Sequence, residues 1–300
     1  MKSKRGAAAV MALLIVPLLI ITGIALYYMN YVGVETDLGM SALLADPPQP
    51  IVEPITIKVV TYNIQALWVV GMNRPARMKA LGEELTELDP DIVGFQEVFV
   101  PENRALLLEC LKGSRLKYHQ YYPSRLVGSG LLIMSAYPIR EVFFHQYKAS
   151  NPWYRVWEGD WWAGKGVALA RIELPDGSGF LDFYDTHAQA GYGIPDYREV
   201  RKFQMGELAR FVNASHLPTA AGLLVGDMNC GAGSDDFEIA VTGAKLVRQM
   251  AVPSAIDHIF EVATPPATIE VSESLEIRER NGLRLSDHNG YVSTIVIRPS

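Results

Sequence analysis

Six short stretches combine carboxylates, carboxamides and imidazoles in a way that suits metal-assisted attack on a phosphodiester. They are Tyr62-Asn63-Ile64, Gln96-Glu97-Val98, Thr186-His187, Gly226-Asp227-Met228-Asn229, Ile256-Asp257-His258 and Ser286-Asp287-His288. A hard divalent cation such as Mg²⁺ takes carboxylate oxygens and keeps several waters. Glu97, which ends the run from Asp91 to Gln96, is the first expected ligand. Asn229 can donate two hydrogen bonds to a phosphoryl oxygen. His288 can take a proton from water near neutral pH once a carboxylate orients its ring. Asp287, Asp257 and Asp227 all qualify for that task. His187, which follows Asp185 and Thr186, can stabilise developing charge or protonate a leaving oxygen. Any one stretch has a plain structural reading, such as a strand-end glutamate or a Gly-Asp-Asn turn. All six together, each carrying a metal ligand or proton carrier, do not. Of the other histidines, His258 reads as a buried, aromatic-like residue, and His119, His145 and His216 lack such companions.

The elements that must position these residues are legible as periodic runs. Ile55, Ile57 and Val59 alternate with Thr56 and Lys58, a strand with one buried face. Asn73-Arg74-Pro75 starts a helix with Met78, Leu81, Leu85 and Leu88 on one stripe. Asp91–Val98 reads as a buried strand, and Pro101 opens a helix that runs to Gly113. Leu131–Ser135 and Glu141–Tyr147 read as strands. Gly166–Leu174 and Phe180–Thr186 flank the hairpin turn Pro175-Asp176-Gly177-Ser178-Gly179. Asp196–Ser215 reads as a helix with Val200, Phe203, Leu208 and Phe211 facing inward. Leu223–Gly226, Ile256–Val262 and Tyr291–Ile297 complete the strands. The pattern predicts an α/β (α+β) domain over residues 55–300, with two mixed sheets packed as a sandwich and helices on the outer faces.

The chain has 300 residues and a formal charge of −6. The basic residues before position 50, Lys2, Lys4 and Arg5, are matched by Glu35, Asp37 and Asp46, so the folded part carries that charge itself. Duplex-binding proteins usually present a basic face, so nucleic acid is not the expected partner. Cys110 and Cys230 are the only cysteines. They show no zinc spacing and give little support for a disulfide.

An uncharged, mostly apolar run extends from Ala7 to Met29. At about 1.5 Å per residue it is long enough for a bilayer core, and Tyr27, Tyr28 and Tyr31 stand where interfacial aromatics would. The expectation is a single membrane anchor over 1–29 with the domain on the non-cytoplasmic side, since the basic residues precede the run. A cleaved signal sequence, which would release the protein, is the alternative. Pro47, Pro48, Pro50 and Pro54 mark 30–54 as an extended linker. Four tryptophans, Trp153, Trp157, Trp161 and Trp162, cluster within one segment. They suit a cage for a quaternary ammonium group, an interfacial surface or core packing.

Over residues 55–297 these motifs resemble the endonuclease/exonuclease/phosphatase superfamily. Gly128-Ser129-Gly130-Leu131, the run Gly159-Asp160-Trp161-Trp162-Ala163-Gly164-Lys165-Gly166, and Thr186-His187-Ala188-Gln189-Ala190 are similar to its neutral sphingomyelinase branch. The resemblance implies Mg²⁺, with Mn²⁺ as a substitute, held by Glu97 with help from Asn63. Asp227 and Asn229 would hold phosphate and water, Asp257 would support the site, Asp287 would orient His288 as general base, and His187 would stabilise the transition state. Asp160 and Lys165 would form a pair that switches the site on, carried on a mobile loop. The implied reaction splits sphingomyelin, a membrane lipid, into ceramide and phosphocholine, with Trp161 and Trp162 as substrate contacts. A nuclease, a phosphoinositide phosphatase and an inactive membrane-tethered binding module are the alternatives. Oligomeric state is not readable from the chain.

Overall fold

The computed structural model describes residues 11, 13–25, 51–67, 71, 73–250, 255–263 and 267–299. Residues 13–25 are helical and exposed. Among the described residues no helix is long and apolar enough to cross a membrane. The rest of the expected anchor and most of the Pro-rich linker lie outside the described residues.

Two six-stranded mixed sheets form the body. The first contains, in chain order, β1 (Ile55–Asn63), β2 (Ile92–Gln96), β3 (Tyr118–Tyr121), β4 (Leu132–Ser135), β11 (Ala267–Ile277) and β14 (Gly290–Pro299). Its spatial order is β11-β14-β1-β2-β4-β3. The second contains β5 (Ile139–Gln146), β6 (Gly166–Glu173), β7 (Phe180–His187), β8 (Ala221–Asp227), β9 (Leu246–Arg248) and β10 (Asp257–Val262), ordered β5-β6-β7-β8-β10-β9. The β1–β2 and β7–β8 pairs are parallel and the remaining pairs antiparallel. A two-stranded ribbon of β12 (Glu279–Arg280) and β13 (Leu283–Arg284) precedes β14.

Helices α1 (Arg74–Leu88) and α2 (Pro101–Leu111) cover the first sheet, and α3 (Asp196–Ser215) and α4 (Asp235–Gly243) cover the second. In α1 the stripe Met78, Leu81 and Leu85 is buried against Val60, Tyr62, Val93 and Phe95. In α3 the buried side is formed by Tyr197, Arg201, Gln204, Met205, Leu208 and Val212. Phe203, expected to face inward, is 68% exposed. The buried positions recur at helical spacing on a face that excludes it.

The space between the sheets is filled from alternate strand positions. Ile57 and Val59, Ile92, Leu181 and Phe183, Leu223 and Val225, Ile259, and Ile295 share one core. Because side chains alternate with period two, the next inward positions along these strands are Thr61 and Asn63, Gly94 and Gln96, Asp185 and His187, Asp227, and Asp257. On each strand the inner face turns from apolar to polar toward the same end. That end is where the site forms. His258 lies one position out of phase and packs outward against Phe237 and Phe260, as the aromatic-like reading expected.

Gly226 does something other than form a turn. It lies inside β8 with φ +134°, where a Cβ would stand 2.1 Å from the Thr186 carbonyl oxygen. Only a residue without a side chain lets β8 run this close to β7. Strand β11 and helix α4 were not anticipated; β11 is an edge strand, exposed along most of its length. Both cysteines are free.

Candidate active site

Register aligns the chemical groups before any loop contributes. Asn63 stands opposite Gln96 across β1 and β2. His187 stands opposite Asp227 across β7 and β8, and Asp227 opposite Asp257 across β8 and β10. Paired residues share a sheet face, so His187, Asp227 and Asp257 form one inward row facing the Asn63–Gln96 row. The Asn63 carboxamide bridges the sheets by donating to Asp227 Oδ2 at 3.0 Å. Gln96 bridges them one layer deeper, with its Nε2 donating to Asp185 Oδ1 at 2.7 Å. Asp185 is fully buried, which holds its carboxyl well above the usual carboxylate range despite the Gln96 bond.

Loops then add Glu97, Asn229 and His288. Glu97 follows β2 in the left-handed region at φ +60°, a conformation uncommon for a residue with a side chain and typical of functional sites. Its Oε1 lies 3.8 Å from His187 Nε2. Burial pushes its pKa up to about 7, opposed by the Lys165 charge and a hydrogen bond from Asn63. A half-buried carboxylate without a full complement of donors is what a hard cation satisfies, and Asn63 lies beside it. Glu97 and Asn63 therefore fit the expected metal. Asp227, Asp257 and His288 also offer ligand atoms within 4.8 Å of one another. The hydrogen bond between His288 and Asp257 makes this trio better suited to moving a proton.

His288 Nδ1 lies 2.8 Å from Asp257 Oδ2, and its Nε2 lies 3.8 Å from Asp227 Oδ2. Burial opposes charging the ring, but the Asp257 hydrogen bond and the charges of Asp227, Asp257 and Asp287 raise its pKa to about 10. Burial and the Asp227 charge raise Asp257 to about 7. Burial raises Asp257 and the surrounding negative charge raises His288, so the pair retains a proton. His187 behaves in the opposite way. It is buried, and burial together with the Lys165 and His288 charges holds its pKa well below the usual histidine range. It is a neutral ring whose Nε2 stands 3.4 Å from Asp227 Oδ2.

The expected pairing of Asp287 with His288 is not what forms. The chain bends at Asp287 and His288, and Asp287 accepts from Gln65 Nε2 at 2.7 Å. Asp257 reaches His288 because β10 begins beneath the loop. Ser286 Oγ donates to the Asn63 carbonyl at 2.6 Å and ties this loop to β1. Gln65 gave no signal in the sequence beyond its place two residues after Asn63.

Asp160 and Lys165 form a buried pair, 2.9 Å apart with side chains 8% and 6% exposed. Asp160 also accepts from Gln189 Nε2 at 2.7 Å, the Ala190 amide at 2.8 Å and the Tyr192 hydroxyl at 3.2 Å. Lys165 Nζ donates to the Ala188 carbonyl at 2.8 Å, which also accepts from Asn229 Nδ2 at 3.1 Å. The loop expected to be mobile is thus pinned at both ends and linked to the residues beside His187. Trp161 and Trp162 are half-buried and meet edge to face, 5.2 Å between centroids. Their carbonyls accept from Arg125 and the Val127 amide.

The assembled groups can hold a cation, bind a phosphoryl oxygen and take a proton from water, which is the equipment of phosphodiester hydrolysis. Comparison with known proteins agrees. The chain is 30% identical over 197 residues to a putative neutral sphingomyelinase of Drosophila melanogaster, covering 64% of this chain and 43% of that protein. It is 32% identical over 176 residues to an inositol phosphosphingolipids phospholipase C of Schizosaccharomyces pombe, covering 55% of this chain and 40% of that one. The chain therefore spans less than half the length of these curated relatives. A solved structure of a Staphylococcus aureus beta toxin variant with bound magnesium ions superposes with a TM-score of 0.63 at 19% identity, covering 80% of this chain and 99% of that one, and shows the shared fold. The family model described as Endonuclease/Exonuclease/phosphatase matches residues 60–288, from the first catalytic strand to the histidine that Asp257 orients, and the chain belongs to that family.

Proposed function

We propose that this protein is a metal-dependent phosphodiesterase of phospholipase C type that hydrolyses sphingomyelin, or a closely related phosphosphingolipid, to ceramide and a phosphorylated headgroup. The observation that carries the reaction class is the His288–Asp257 pair at 2.8 Å facing Asp227 and the half-buried Glu97 across the inter-sheet cleft. The substrate class is supported by the similarity to proteins named for phosphosphingolipid cleavage. The acidic body and the tryptophan-rich segment favour a lipid over DNA.

Glu97 and Asn63 would hold the cation, Mg²⁺ or in its place Mn²⁺. When bound, it polarises a phosphoryl oxygen and offsets the negative charge that otherwise keeps the proton on His288. Asp257 accepts the Nδ1 hydrogen of His288, which leaves Nε2 to take a proton from the attacking water. The water oxygen bonds to phosphorus as the bond to the ceramide oxygen breaks, and that oxygen is reprotonated from solvent. Neutral His187 donates a hydrogen bond toward developing charge, and Asn229 orients the phosphoryl group from a position set by Lys165 through the Ala188 carbonyl. Asp287 positions Gln65 and the loop that carries His288. The run from Ala7 to Met29 tethers the domain to a membrane on its non-cytoplasmic side, or directs its secretion if cleaved.

The test is release of phosphocholine from sphingomyelin vesicles, with and without Mg²⁺, by the wild type and His288→Ala. Metal-dependent release that is lost in the variant is expected. Cleavage of DNA with no metal-dependent phosphocholine release would overturn the assignment.

A further inference from the structure

We propose that the loop between β5 and β6 is a docking rim that seats the catalytic mouth on the interface of a zwitterionic phospholipid bilayer. This rests on the lipid phosphodiesterase reading above. Trp153, Tyr154 and Trp157 are 69%, 56% and 75% exposed, so core packing does not explain them. Trp153 and Tyr154 meet edge to face, 6.0 Å between centroids, and form a joint surface. Trp and Tyr join an apolar ring to a polar tip and concentrate where bilayers meet water.

The charge pattern selects the occupant. Two of the loop's three cations are neutralised within it, with Arg155 Nη1 lying 3.4 Å from Glu158 Oε1 and Lys165 Nζ 2.9 Å from Asp160 Oδ1, and the third, Lys148, stays exposed where the loop leaves β5. The rings can therefore leave water without burying an unpaired charge. The exposed Arg125 guanidinium is held against the loop by the Trp161 carbonyl at 3.2 Å, a cation suited to lipid phosphates. The whole chain carries −6, which disfavours a strongly anionic surface.

The rim is wired to the site. The Tyr192 hydroxyl donates to the Glu158 carbonyl within the loop and also to Asp160 Oδ1. The Glu158 carboxylate accepts from Asn151 Nδ2 at 2.9 Å and from the Tyr197 hydroxyl of α3. Asp160 continues the path to Gln189 and Ala190, just beyond His187. Seating the rings on a bilayer holds the cleft at the lipid headgroups, where its substrate lies.

The experiment uses the full chain with phosphatidylcholine–sphingomyelin vesicles that contain a brominated phosphatidylcholine. Tryptophan emission is expected to be quenched, and the doubly substituted Trp153→Phe/Trp157→Phe chain is expected to lose most of the quenched signal. The Trp153→Ala/Trp157→Ala chain is expected to turn over vesicle substrate about tenfold more slowly, from the apolar area withdrawn from the membrane. It should still hydrolyse a detergent-dispersed choline phosphodiester at the wild-type rate. Quenching unchanged by the phenylalanine pair overturns the proposal. So does equal loss on both substrates, which would put the rings in the chemistry. Self-association that the alanine pair abolishes, without quenching, makes a second copy the occupant and also overturns it. A wild type inactive on both substrates, with quenching that depends on Trp153 and Trp157, upholds the docking rim and refutes the hydrolytic reading.

Discussion

Removing Lys165 should do far more than removing a surface lysine. An exposed ion pair is worth at most about 1 kcal/mol. In the structure the Asp160–Lys165 pair is buried, with side chains 8% and 6% exposed. Breaking a buried pair by removing one partner costs about 3–5 kcal/mol, because a charge is left uncompensated. In Lys165→Met, Asp160 keeps its Gln189, Ala190 and Tyr192 donors, which sets the loss near the lower end, about 3 kcal/mol. In Asp160→Asn, Lys165 keeps the Ala188 carbonyl but loses its carboxylate, which sets the loss near the upper end. For a domain of this size about 3 kcal/mol lowers Tm by about 6–12 °C. Turnover should fall by about 100-fold in Lys165→Met, since the Ala188 carbonyl that Lys165 holds also positions Asn229. The double variant leaves neither charge orphaned and should lose at least about 2 kcal/mol less than the sum of the single losses. Chemical denaturation of the four proteins and vesicle turnover measure both quantities. Single losses that add to within about 0.5 kcal/mol, or wild-type turnover in Lys165→Met, would refute the reasoning.

Three further outcomes are expected. Asp257→Asn should cut turnover by about 10³–10⁴-fold while the fold is retained, by analogy with loss of the orienting carboxylate in hydrolase triads. Asp287→Asn, which loses a charge that faces Gln65 and also acts on His288, should cost about tenfold; steady-state kinetics that reverse this order would return the orienting role to Asp287. Buried Asp185 has its folded pKa raised above an unfolded value of about 3.9, so the folded state binds the proton more tightly. Stability from that proton is present at low pH and is lost as pH rises above about 4. Asp185→Asn should therefore become more stable relative to the wild type as denaturation is moved from acid to neutral pH, and a difference constant with pH would count against a protonated Asp185. Saturating Mg²⁺ at about 100 times its Kd should add about 2.7 kcal/mol of stability. Glu97→Gln should remove most of that rise in Tm, and an equal rise in both proteins would place the cation elsewhere.

Much of the fold was legible because its signals are local. Alternation marked β1 before any partner was known, and Pro101 and the α1 stripe marked helices where they occur. Phe203 was misjudged because α3 carries apolar residues beyond its buried face, and a helix does not announce which face the sheet will cover. Strand β11 was missed because an edge strand exposed along most of its length lacks a clean apolar rhythm. Glu97, Asp227, His187 and His288 were singled out from residue type and short motifs, and the fold brings them to one end of the sandwich. Gln65, Tyr192 and the bridging role of Gln96 were not, because their significance lies in contacts with residues distant in sequence.

The sequence alone determined which groups are present and the reaction class they suit, since ligand chemistry and proton affinity belong to residue types. It also determined that they would collect at strand ends, since period-two alternation is written residue by residue. Only the tertiary structure decided who partners whom. Register between β8 and β10 set Asp257 beside Asp227, the start of β10 beneath the last loop gave His288 to Asp257 rather than Asp287, and burial fixed Asp160 and Lys165 in place where a mobile loop was expected. Those outcomes depend on register, sheet packing and desolvation, which are properties of the assembled sandwich and of no single stretch of chain.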